Sequence, residues 1–459
     1  MFKFGGTSVA SPPAIEAVAH IIAAEKAERL VVVSATAGTT DALVKAAEQA
    51  VAGDAAGAQQ IIERLSEEHR NLIADLVGVN GASALSEIVD LTDRTTALLR
   101  SVALLRECSA RSLDAILSYG ERLSAPIIAA VLNARGVAAE ALSAEGLLVT
   151  DDSFGHANPL LQITRERVEQ QLVPRMRYGT VPVITGFVGS TVDGVTTTLG
   201  RGGSDYSAAV FAAALGAGEC RIYTDVSGVM SADPRIVPDA KPLPAISYAE
   251  AAELSYFGAK VIHPRTVLPA VEAGIPVRIL NTFAADDLGT TITATTPRDD
   301  TVVKATTSLG GLGMITVQGA GMSGVPGFAA RVFDTTAAEA VSVLMISQAS
   351  SENSICLVVP DESIKRLEGA LRKMFSRELE RHDVEKVSIE SPVAIVSAVG
   401  EGMRGTPGVA ARLFGALGRA NVNVIAIAQG SSELNISLVV SETERENAVR
   451  AIHQEFHES

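Results

Sequence analysis

The chain has 459 residues, of which 47% are hydrophobic, and its formal net charge is −15. This length predicts about two to four domains with buried cores, and an acidic chain without basic clusters argues against nucleic-acid binding. Cys108, Cys220 and Cys356 are widely separated and lack metal-ligand spacing, so we expect no disulfide framework. Neither a secretory signal nor an uninterrupted apolar span is recognisable, so we expect a cytoplasmic protein without a membrane segment.

The N-terminus carries the first motif of interest, the turn Lys3-Phe-Gly-Gly-Thr-Ser8, which begins in a strand-like run. A glycine turn between a strand and a helix points backbone N–H groups at an anion. Glycine turns in α/β proteins are also often structural. This element alone therefore does not decide between a phosphate site and an ordinary turn.

From the N-terminus to residue 297, short β-rich runs alternate with helical stretches. The clearest predicted strands are 30–34, 181–184, 221–224 and 276–280. Such alternation predicts an α/β domain in which a mostly parallel sheet lies between helices, a three-layer αβα arrangement. Between residues 40 and 117 apolar residues recur at helical spacing, which predicts a helical insertion beside the active cleft.

A second glycine-rich element is Thr197-Thr-Leu-Gly-Arg-Gly-Gly-Ser-Asp-Tyr-Ser207. Its glycines allow backbone N–H groups to approach an anion, while Arg201 supplies a guanidinium and Asp205 a carboxylate. Two such elements, one with a lysine and the other with an arginine and an aspartate, predict phosphate handling more strongly than either alone. We therefore expect Lys3 and Asp205 to converge on one cavity.

Residues 296–308 combine a proline with a local charge cluster, which predicts a domain boundary. Beyond this boundary lies an internal repeat: GAGMSGVPGFAARVF, from Gly319, recurs as GEGMRGTPGVAARLF, from Gly400. The two copies align without a gap, which indicates duplication. Each copy has the order strand, turn, helix, strand, strand, helix, as in a ferredoxin-like unit.

We place the first repeat unit at residues 298–390 and the second at 391–459. The second copy ends immediately after its last helix, so its final strand must come from another part of the chain. Residues 301–306 are the expected source, and the two units are then intertwined rather than separate.

Both copies match the dinucleotide pattern G-x-G-x-x-G, but we do not predict a nicotinamide cofactor. The acidic residue that should bind a ribose after the next strand is replaced by Gln348 in one copy and Gln429 in the other. The glycines also precede Pro326 and Pro407, and proline suits the first position of a helix. No P-loop sequence occurs either.

Three further segments complete a family resemblance: Ser118-Tyr-Gly-Glu-Arg-Leu-Ser124, residues 224–235 and Phe257-Gly-Ala-Lys-Val-Ile-His-Pro264. With the two glycine elements, they resemble aspartate kinase of the amino-acid-kinase superfamily. The resemblance covers essentially the whole chain and implies the amino-acid-kinase fold for residues 1–297. The repeat resembles the tandem ACT pair of these enzymes and is most similar to the threonine-inhibited type. That type includes the kinase part of fusions with homoserine dehydrogenase, but we expect no dehydrogenase here.

The resemblance implies phosphorylation of the side-chain carboxylate of L-aspartate to 4-phospho-L-aspartate, with ATP as co-substrate and Mg²⁺ as the metal. This is the first step of lysine, threonine and methionine biosynthesis. A side-chain carboxylate with a pKa of about 3.9 is already a nucleophilic anion at neutral pH, so no general base is needed. The reaction instead needs positive charge and in-line positioning. No direct protein ligand to the metal is expected.

The resemblance also assigns roles to individual residues. Lys3 is expected to stabilise the transferring phosphoryl group, and Asp205 to hold Lys3 and the metal in register. Arg201 is expected to bind the α-carboxylate of aspartate and Glu121 its α-ammonium. The other matched residues are, for L-aspartate, Thr40 and Ser204 and, for ATP, Lys3, Gly5, Gly6, Thr7, Ser8, Thr224, Asp225, Met230, Asp233, Arg235 and Lys260.

Some of these residues also have ordinary structural interpretations. Thr40 suits a helix N-cap, Glu121 could form a solvated ion pair with Arg122, and Lys260 could be a loop residue. Met230 stands where the family often carries tyrosine, which leaves open whether this position stacks on adenine or only packs against it.

The tandem repeat is interpreted as an amino-acid sensor that also joins subunits into a homodimer or tetramer. Gln348 and Gln429 have side-chain amides that both donate and accept hydrogen bonds, so we expect them to bind the effector. Threonine is the favoured feedback inhibitor and lysine the second candidate. A non-catalytic amino-acid-binding regulator is the alternative class, which the intact Lys3, Arg201 and Asp205 disfavour.

Overall fold

The computed structural model of the protein describes residues 1–258, 262–284, 286–296 and 301–457. The chain divides into two compact units. The first comprises Met1–Val229, Pro242–Tyr248 and Val261–Thr296, and the second comprises Met230–Lys241, Ala249–Lys260 and Pro297–Ser459. Two short segments that the sequence analysis assigns to the catalytic domain, 230–241 and 249–260, therefore fold as part of the C-terminal unit.

The helices and strands up to residue 296 follow the predicted alternation. In chain order they are β1 (Phe2–Phe4), α1 (Pro12–Ala24), β2 (Val31–Val33), α2 (Thr39–Val51), α3 (Ala55–Leu76), α4 (Ala82–Leu105), α5 (Ala110–Leu117), α6 (Tyr119–Ala134), β3 (Ala139–Leu142), β4 (Val149–Thr150), α7 (Leu161–Arg177), β5 (Val181–Thr185), β6 (Val188–Thr191), β7 (Thr196–Thr198), α8 (Gly203–Leu215), β8 (Cys220–Thr224), β9 (Ala245–Ser247), α9 (Tyr248–Tyr256), α10 (Pro264–Glu272), β10 (Val277–Asn281) and β11 (Thr290–Thr293). The four clearest predicted strands are present as β2, β5, β8 and β10, and α2 to α5 occupy the predicted helical insertion.

The first unit is organised around an eight-stranded sheet with the order β3-β5-β2-β1-β8-β10-β11-β9. β1 lies between β2 and β8 and is parallel to both. The residues of β1 and β2 are all buried, which is typical of parallel strands covered on both faces. Only the pair β10 and β11 is antiparallel among the pairings of this sheet within the described residues. The predicted α/β class is therefore confirmed.

One apolar stretch of the first unit, Ala110–Ala134, has the length and hydropathy of a membrane span. It comprises α5 and α6, and 72% of its most apolar window is buried inside the protein. A helix buried in the core of a folded domain has the same composition. The position of this stretch matters for the site, because its two helices carry Asp114 and Glu121.

The second unit contains the two repeats. Its elements after residue 300 are β12 (Ala305–Gln318), α11 (Phe328–Ala338), β13 (Met345–Gln348), β14 (Ser354–Pro360), α12 (Asp361–Met374), α13 (Ser376–Glu380), β15 (Lys386–Val399), α14 (Val409–Arg419), β16 (Ala426–Ala428), β17 (Asn435–Ser441) and α15 (Arg445–His457). The strands form one antiparallel sheet with the order β13-β14-β12-β15-β17-β16.

The long central strands β12 and β15 each serve both repeats. The first half of β12 pairs with the second half of β15, and the second half of β12 pairs with β14 and the first half of β15. Strand β12 begins at Ala305, which pairs with Val399, and Thr306 pairs with Ala398. Of the segment 301–306, only these last two residues are therefore in the strand, and the repeats are intertwined through this shared pairing.

Side chains explain why segments 230–241 and 249–260 belong to the second unit. Ile236 lies in one hydrophobic cluster with Ile452 of α15, and Ser231 Oγ is 2.9 Å from His453 Nε2. In the other segment, the buried carboxylate of Glu250 pairs with the ammonium group of Lys304 at 3.2 Å. These contacts connect both segments to the rest of the second unit.

Candidate active site

A cavity of about 650 Å³ lies in the first unit, where the chain leaves the C-terminal ends of β1 and β2. In parallel α/β sheets this edge is where ligands bind, because the loops that follow the strands gather there. Both glycine elements contribute to the wall. The charged residues that line the cavity are Lys3, Asp41, Asp114, Glu121, Arg201 and Asp205.

The two glycine elements meet through an ion pair. Lys3 Nζ on β1 lies 2.6 Å from Asp205 Oδ1 on α8, as the sequence predicts. Lys3 is only 7% exposed, and a lysine buried to this degree requires a charged partner. Asp205 lies in the first turn of α8, where the helix dipole stabilises a negative side chain. The pair therefore presents an ammonium group at the cavity wall in a fixed position.

The turn before α8 presents Arg201. Gly200 has a φ of +75° and Gly202 a φ of +69°, which is left-handed backbone that glycine adopts without strain. Gly202 is the N-cap of α8, so the first N–H groups of this helix face the same turn as the guanidinium group. Arg201 is exposed. Within the described residues its guanidinium group has no hydrogen-bond or ion-pair partner, so it is available for an anion.

Glu121 is a buried carboxylate in the cavity wall. The residue is 3% exposed, and burial raises the pKa of its carboxyl group from 4.5 to about 8, although backbone N–H groups of Ala35 and Glu121 and the charge of Lys3 act in the opposite direction. Its Oε2 atom has no hydrogen-bond partner among the described residues. The alternative of a solvated pair with Arg122 is wrong, because Arg122 pairs with Glu145 instead.

The loop between β2 and α2 forms another part of the wall. Thr40 lines the cavity from the first turn of α2, whose N-cap is Gly38, so the N-cap interpretation of Thr40 is wrong. Thr36 Oγ1 lies 2.6 Å from Thr39 Oγ1 and 3.2 Å from His69 Nε2. His69, on α3, therefore contacts this loop through Thr36. The sequence analysis did not identify His69.

Four of the expected ATP residues directly follow β1 in the chain: Gly5, Gly6, Thr7 and Ser8. The N–H group of Gly5 donates to Tyr223 O at 3.0 Å, and Gly6 lines the cavity. Thr7 is exposed. Ser8 is buried, and its Oγ lies 2.7 Å from Thr282 Oγ1, so its hydroxyl group has a structural partner.

Thr224 is the last residue of β8, the neighbour of β1 in the sheet, and Asp225 directly follows it. Thr224 Oγ1 donates to Asp225 Oδ1 at 3.1 Å. Both residues therefore lie at the same end of the parallel strands as the first glycine turn, which follows β1. Ser204, the remaining residue matched to L-aspartate, lines the cavity in the first turn of α8.

Other expected ATP residues belong to the second unit. Arg235 pairs with Asp233 at 2.6 Å, and this pair lowers the pKa of the Asp233 carboxyl group. Met230 is half-buried. Lys260 lies outside the residues that the structure describes.

Two further residues of the cavity wall, Asp114 and Phe187, were missed by sequence reasoning. Asp114 is the single carboxylate of the otherwise apolar segment Leu113-Asp-Ala-Ile-Leu117, a pattern that does indicate a paired buried charge. Phe187 follows β5 and has a φ of +64°, and no sequence signal identifies it.

The two glutamines expected to bind the effector are exposed residues of the second unit. Gln348 ends β13, and Gln429 directly follows β16. β13 and β16 are the first and last strands in the order of the sheet. They nevertheless contact each other, because Ser347 Oγ donates a hydrogen bond to Ile427 O at 3.1 Å. The two repeats therefore bring their equivalent strands together near both glutamines.

Comparisons with known proteins agree with this architecture. The model of the amino acid kinase family matches residues 2–281, and that of the ACT domain matches residues 315–375 and 396–456. The chain belongs to the amino acid kinase family. The predicted resemblance to aspartate kinases with tandem ACT domains is thereby confirmed at the level of the family.

Among curated relatives, the chain is 37% identical to chloroplastic bifunctional aspartokinase/homoserine dehydrogenase 2 of Arabidopsis thaliana, over 99% of this chain and 50% of that protein. It is 34% identical to chloroplastic aspartokinase 1 of the same plant, over 100% of this chain and 80% of that protein. The chain thus spans about half the length of the bifunctional relatives it matches.

Among solved structures, the chain is similar to E. coli aspartokinase III in complex with aspartate and ADP in the R-state, with a TM-score of 0.79 and 32% identity, covering 99% of this chain and 98% of that one. The same enzyme in complex with lysine and aspartate, in the T-state, also gives a TM-score of 0.79. The likeness therefore extends over both units of this chain.

Proposed function

We propose that the protein is an aspartate kinase that transfers the terminal phosphoryl group of ATP to the side-chain carboxylate of L-aspartate. The observation that carries this proposal is the cavity in which the Lys3–Asp205 ion pair, the buried Glu121 and the exposed Arg201 lie together. L-Aspartate has one ammonium group and two carboxylates. The cavity wall offers the carboxylate of Glu121 for the ammonium group, and the guanidinium group of Arg201 and the ammonium group of Lys3 for the two carboxylates.

Lys3 has the charge that the reaction needs. Two anions, a carboxylate and a triphosphate, must approach each other, and their repulsion is reduced by a positive group placed where charge develops. Asp205 holds the Lys3 ammonium group at 2.6 Å and so fixes its direction. The attacking carboxylate is already ionised, which explains why a general base is unnecessary.

Glu121 and Arg201 are proposed to orient the substrate. The Oε2 atom of Glu121 lacks a hydrogen-bond partner among the described residues, and an ammonium group would satisfy it. The guanidinium group of Arg201 can bind a carboxylate with two parallel hydrogen bonds. With the α-ammonium and α-carboxylate held in this way, the side-chain carboxylate is directed to Lys3. Thr40 and Ser204 are proposed as the remaining contacts.

For ATP, we propose the Gly5–Gly6 turn around the phosphates, with Thr7 and Ser8 beside it, and Thr224 and Asp225 at the neighbouring strand end. The segment of the second unit that carries Met230, Asp233 and Arg235 is proposed from its match to the family motif, as is Lys260. We propose that Mg²⁺ is held mainly by ATP. Bound there, Mg²⁺ would neutralise phosphate charge.

The second unit is proposed to sense an amino acid. Both the ACT assignment and the similar T-state structure of E. coli aspartokinase III in complex with lysine and aspartate support an amino-acid effector. We propose threonine as the inhibitor and lysine as the second candidate, with Gln348 and Gln429 as contacts. Assembly into a homodimer or tetramer through the ACT units, a cytoplasmic location and a role in lysine, threonine and methionine biosynthesis belong to the same proposal.

The test is an ATP-dependent hydroxamate assay with L-aspartate, in which hydroxylamine traps the acyl phosphate. We expect turnover that requires ATP and L-aspartate, and loss of turnover in Lys3→Ala. The exposed Lys26 provides a control, because Lys26→Ala removes a lysine that does not line the cavity. Turnover that persists in Lys3→Ala, or a wild-type protein without turnover, would contradict the proposal.

A further inference from the structure

Asp114 is a buried carboxylate that the proposed reaction does not use directly. It lies on α5 and is 1% exposed. Its Oδ2 atom accepts hydrogen bonds from Gly155 N and Thr198 N, both at 2.9 Å, and its Oδ1 atom accepts from Thr198 Oγ1 at 2.7 Å. Three donors converge on one buried anion, which is a stronger arrangement than bonds between neutral groups.

These three donors belong to two segments that meet at the turn bearing Arg201. Thr198 ends β7, three residues before Arg201. The Gly155 segment runs beside it, because the N–H group of Ala157 donates to Thr198 O at 2.9 Å. Asp114 is therefore a side-chain bridge between them.

The turn has little room to move relative to this bridge. A Cβ atom on Gly200 would lie 3.0 Å from Gly155 O, and Gly200 already has a φ of +75°. Gly203 N also donates to Gly200 O at 2.9 Å, which connects the turn to the start of α8. A displacement of Gly155 or Thr198 would therefore also displace Arg201.

We propose that Asp114 is a positioning residue that sets the location of the Arg201 guanidinium group and, through it, the affinity for the α-carboxylate of the amino-acid substrate. This inference rests on the proposed function of the cavity. It gives the helical insertion a specific part in substrate recognition, since α5 is its last helix. Asp114 acts through Thr198 and Gly155, whose donors occupy three of the about four acceptor sites of its carboxylate.

Two substitutions of Asp114 separate its geometry from its charge. In Asp114→Asn, the amide oxygen can accept from the two backbone N–H groups, and the amide nitrogen can donate to Thr198 Oγ1 if that hydroxyl group rotates. In Asp114→Ala, all three bonds are lost and the N–H group of the buried Thr198 is left unsatisfied. Positioning therefore predicts a mild effect for the first variant and a large one for the second.

The experiment measures the KM values for L-aspartate and for ATP, with kcat, in the hydroxamate assay. We expect Asp114→Ala to raise the KM for L-aspartate by roughly 10- to 100-fold, because displacement of a binding group by about 1 Å has effects of this order. The KM for ATP should change by less than about threefold, and Asp114→Asn should raise the KM for L-aspartate much less than Asp114→Ala.

Thr198 provides a second pair of variants in case Asp114→Ala does not fold. Thr198→Val removes the hydroxyl donor and keeps the shape, whereas Thr198→Ser keeps the donor. We expect Thr198→Val to raise the KM for L-aspartate above that of Thr198→Ser, in the same direction as Asp114→Ala.

Four results would overturn the inference. Equal impairment of Asp114→Asn and Asp114→Ala would mean that the charge itself is required. Equal increases in both KM values, or a lower melting temperature with an unchanged KM for L-aspartate, would mean a merely structural role. Equal KM values for Thr198→Val and Thr198→Ser would have the same meaning. A wild-type protein without aspartate-dependent turnover would instead refute the proposed function.

Discussion

Glu121 offers a test of the site that depends on pH. Burial raises the pKa of its carboxyl group to about 8, so at pH 7 most molecules of the ligand-free protein carry a neutral Glu121. An α-ammonium group binds the ionised form. Binding below pH 8 must therefore include ionisation of Glu121, at a cost of about 1.4 kcal/mol for each pH unit below its pKa.

This cost sets the expected size of the effect. The ionised fraction of a group with a pKa of about 8 increases roughly 50-fold between pH 6 and pH 8. We expect the KM for L-aspartate to fall by roughly the same factor over this range. The KM for ATP should lack this slope, because Glu121 is proposed to contact only the amino acid.

The matched variants are Glu121→Gln and Glu145→Gln. The first cannot ionise, so its KM for L-aspartate should lose the slope and exceed the wild-type value at pH 8 by roughly 10- to 100-fold, the effect of losing a charged hydrogen bond. Glu145 pairs with Arg122 on the partly exposed side of α6, so its variant should keep the slope. Titration of the substrate is common to all three proteins and cancels. A slope retained in Glu121→Gln would refute the assignment.

Other consequences can be checked separately. Arg201→Lys should raise the KM for L-aspartate about tenfold, because lysine cannot form the two parallel hydrogen bonds of a guanidinium group; an unchanged KM would exclude Arg201 as the carboxylate contact. The double variant Gln348→Ala and Gln429→Ala should lose inhibition by threonine while keeping turnover; inhibition equal to wild type would exclude this effector site. Burial lowers the pKa of the His69 imidazole. Below about pH 6.5, the unfolded chain therefore binds a proton at His69 more readily than the folded protein does. His69 therefore contributes a loss of stability between pH 7 and pH 5, which Glu121 opposes because its raised pKa favours the folded protein as the pH falls. Relative to His69→Asn, the melting temperature of the wild-type protein should become lower as the pH falls over this range; an identical slope in both proteins would contradict this.

The sequence predicts those parts of the site that depend on local motifs. Lys3 lies on β1 just before one glycine turn, and Asp205 lies in the first turn of α8 just after the other. The second turn follows β7, which lies outside the eight-stranded sheet, so the prediction rests on the opposite charges beside two anion-binding turns. Their convergence could therefore be predicted without the structure. The boundaries of the four clearest predicted strands differ from prediction by about one residue at either end, because turn residues clearly limit these buried apolar runs.

The remaining features depend on contacts between distant segments. His69 and Asp114 come from a helical insertion whose periodicity reports only which faces are apolar, and not which loop each polar residue meets. The assignment of segments 230–241 and 249–260 to the second unit follows from side-chain packing with α15 and with Lys304. No local pattern contains that information.

The most direct test of the central claim is ¹³C NMR of the trapped product formed from ATP, hydroxylamine and L-aspartate labelled at C4. We expect a hydroxamate at C4, formed together with ADP by the wild-type protein and absent with Lys3→Ala. A hydroxamate at C1, or ADP formation that does not depend on L-aspartate, would contradict the proposal that this cavity phosphorylates the side-chain carboxylate.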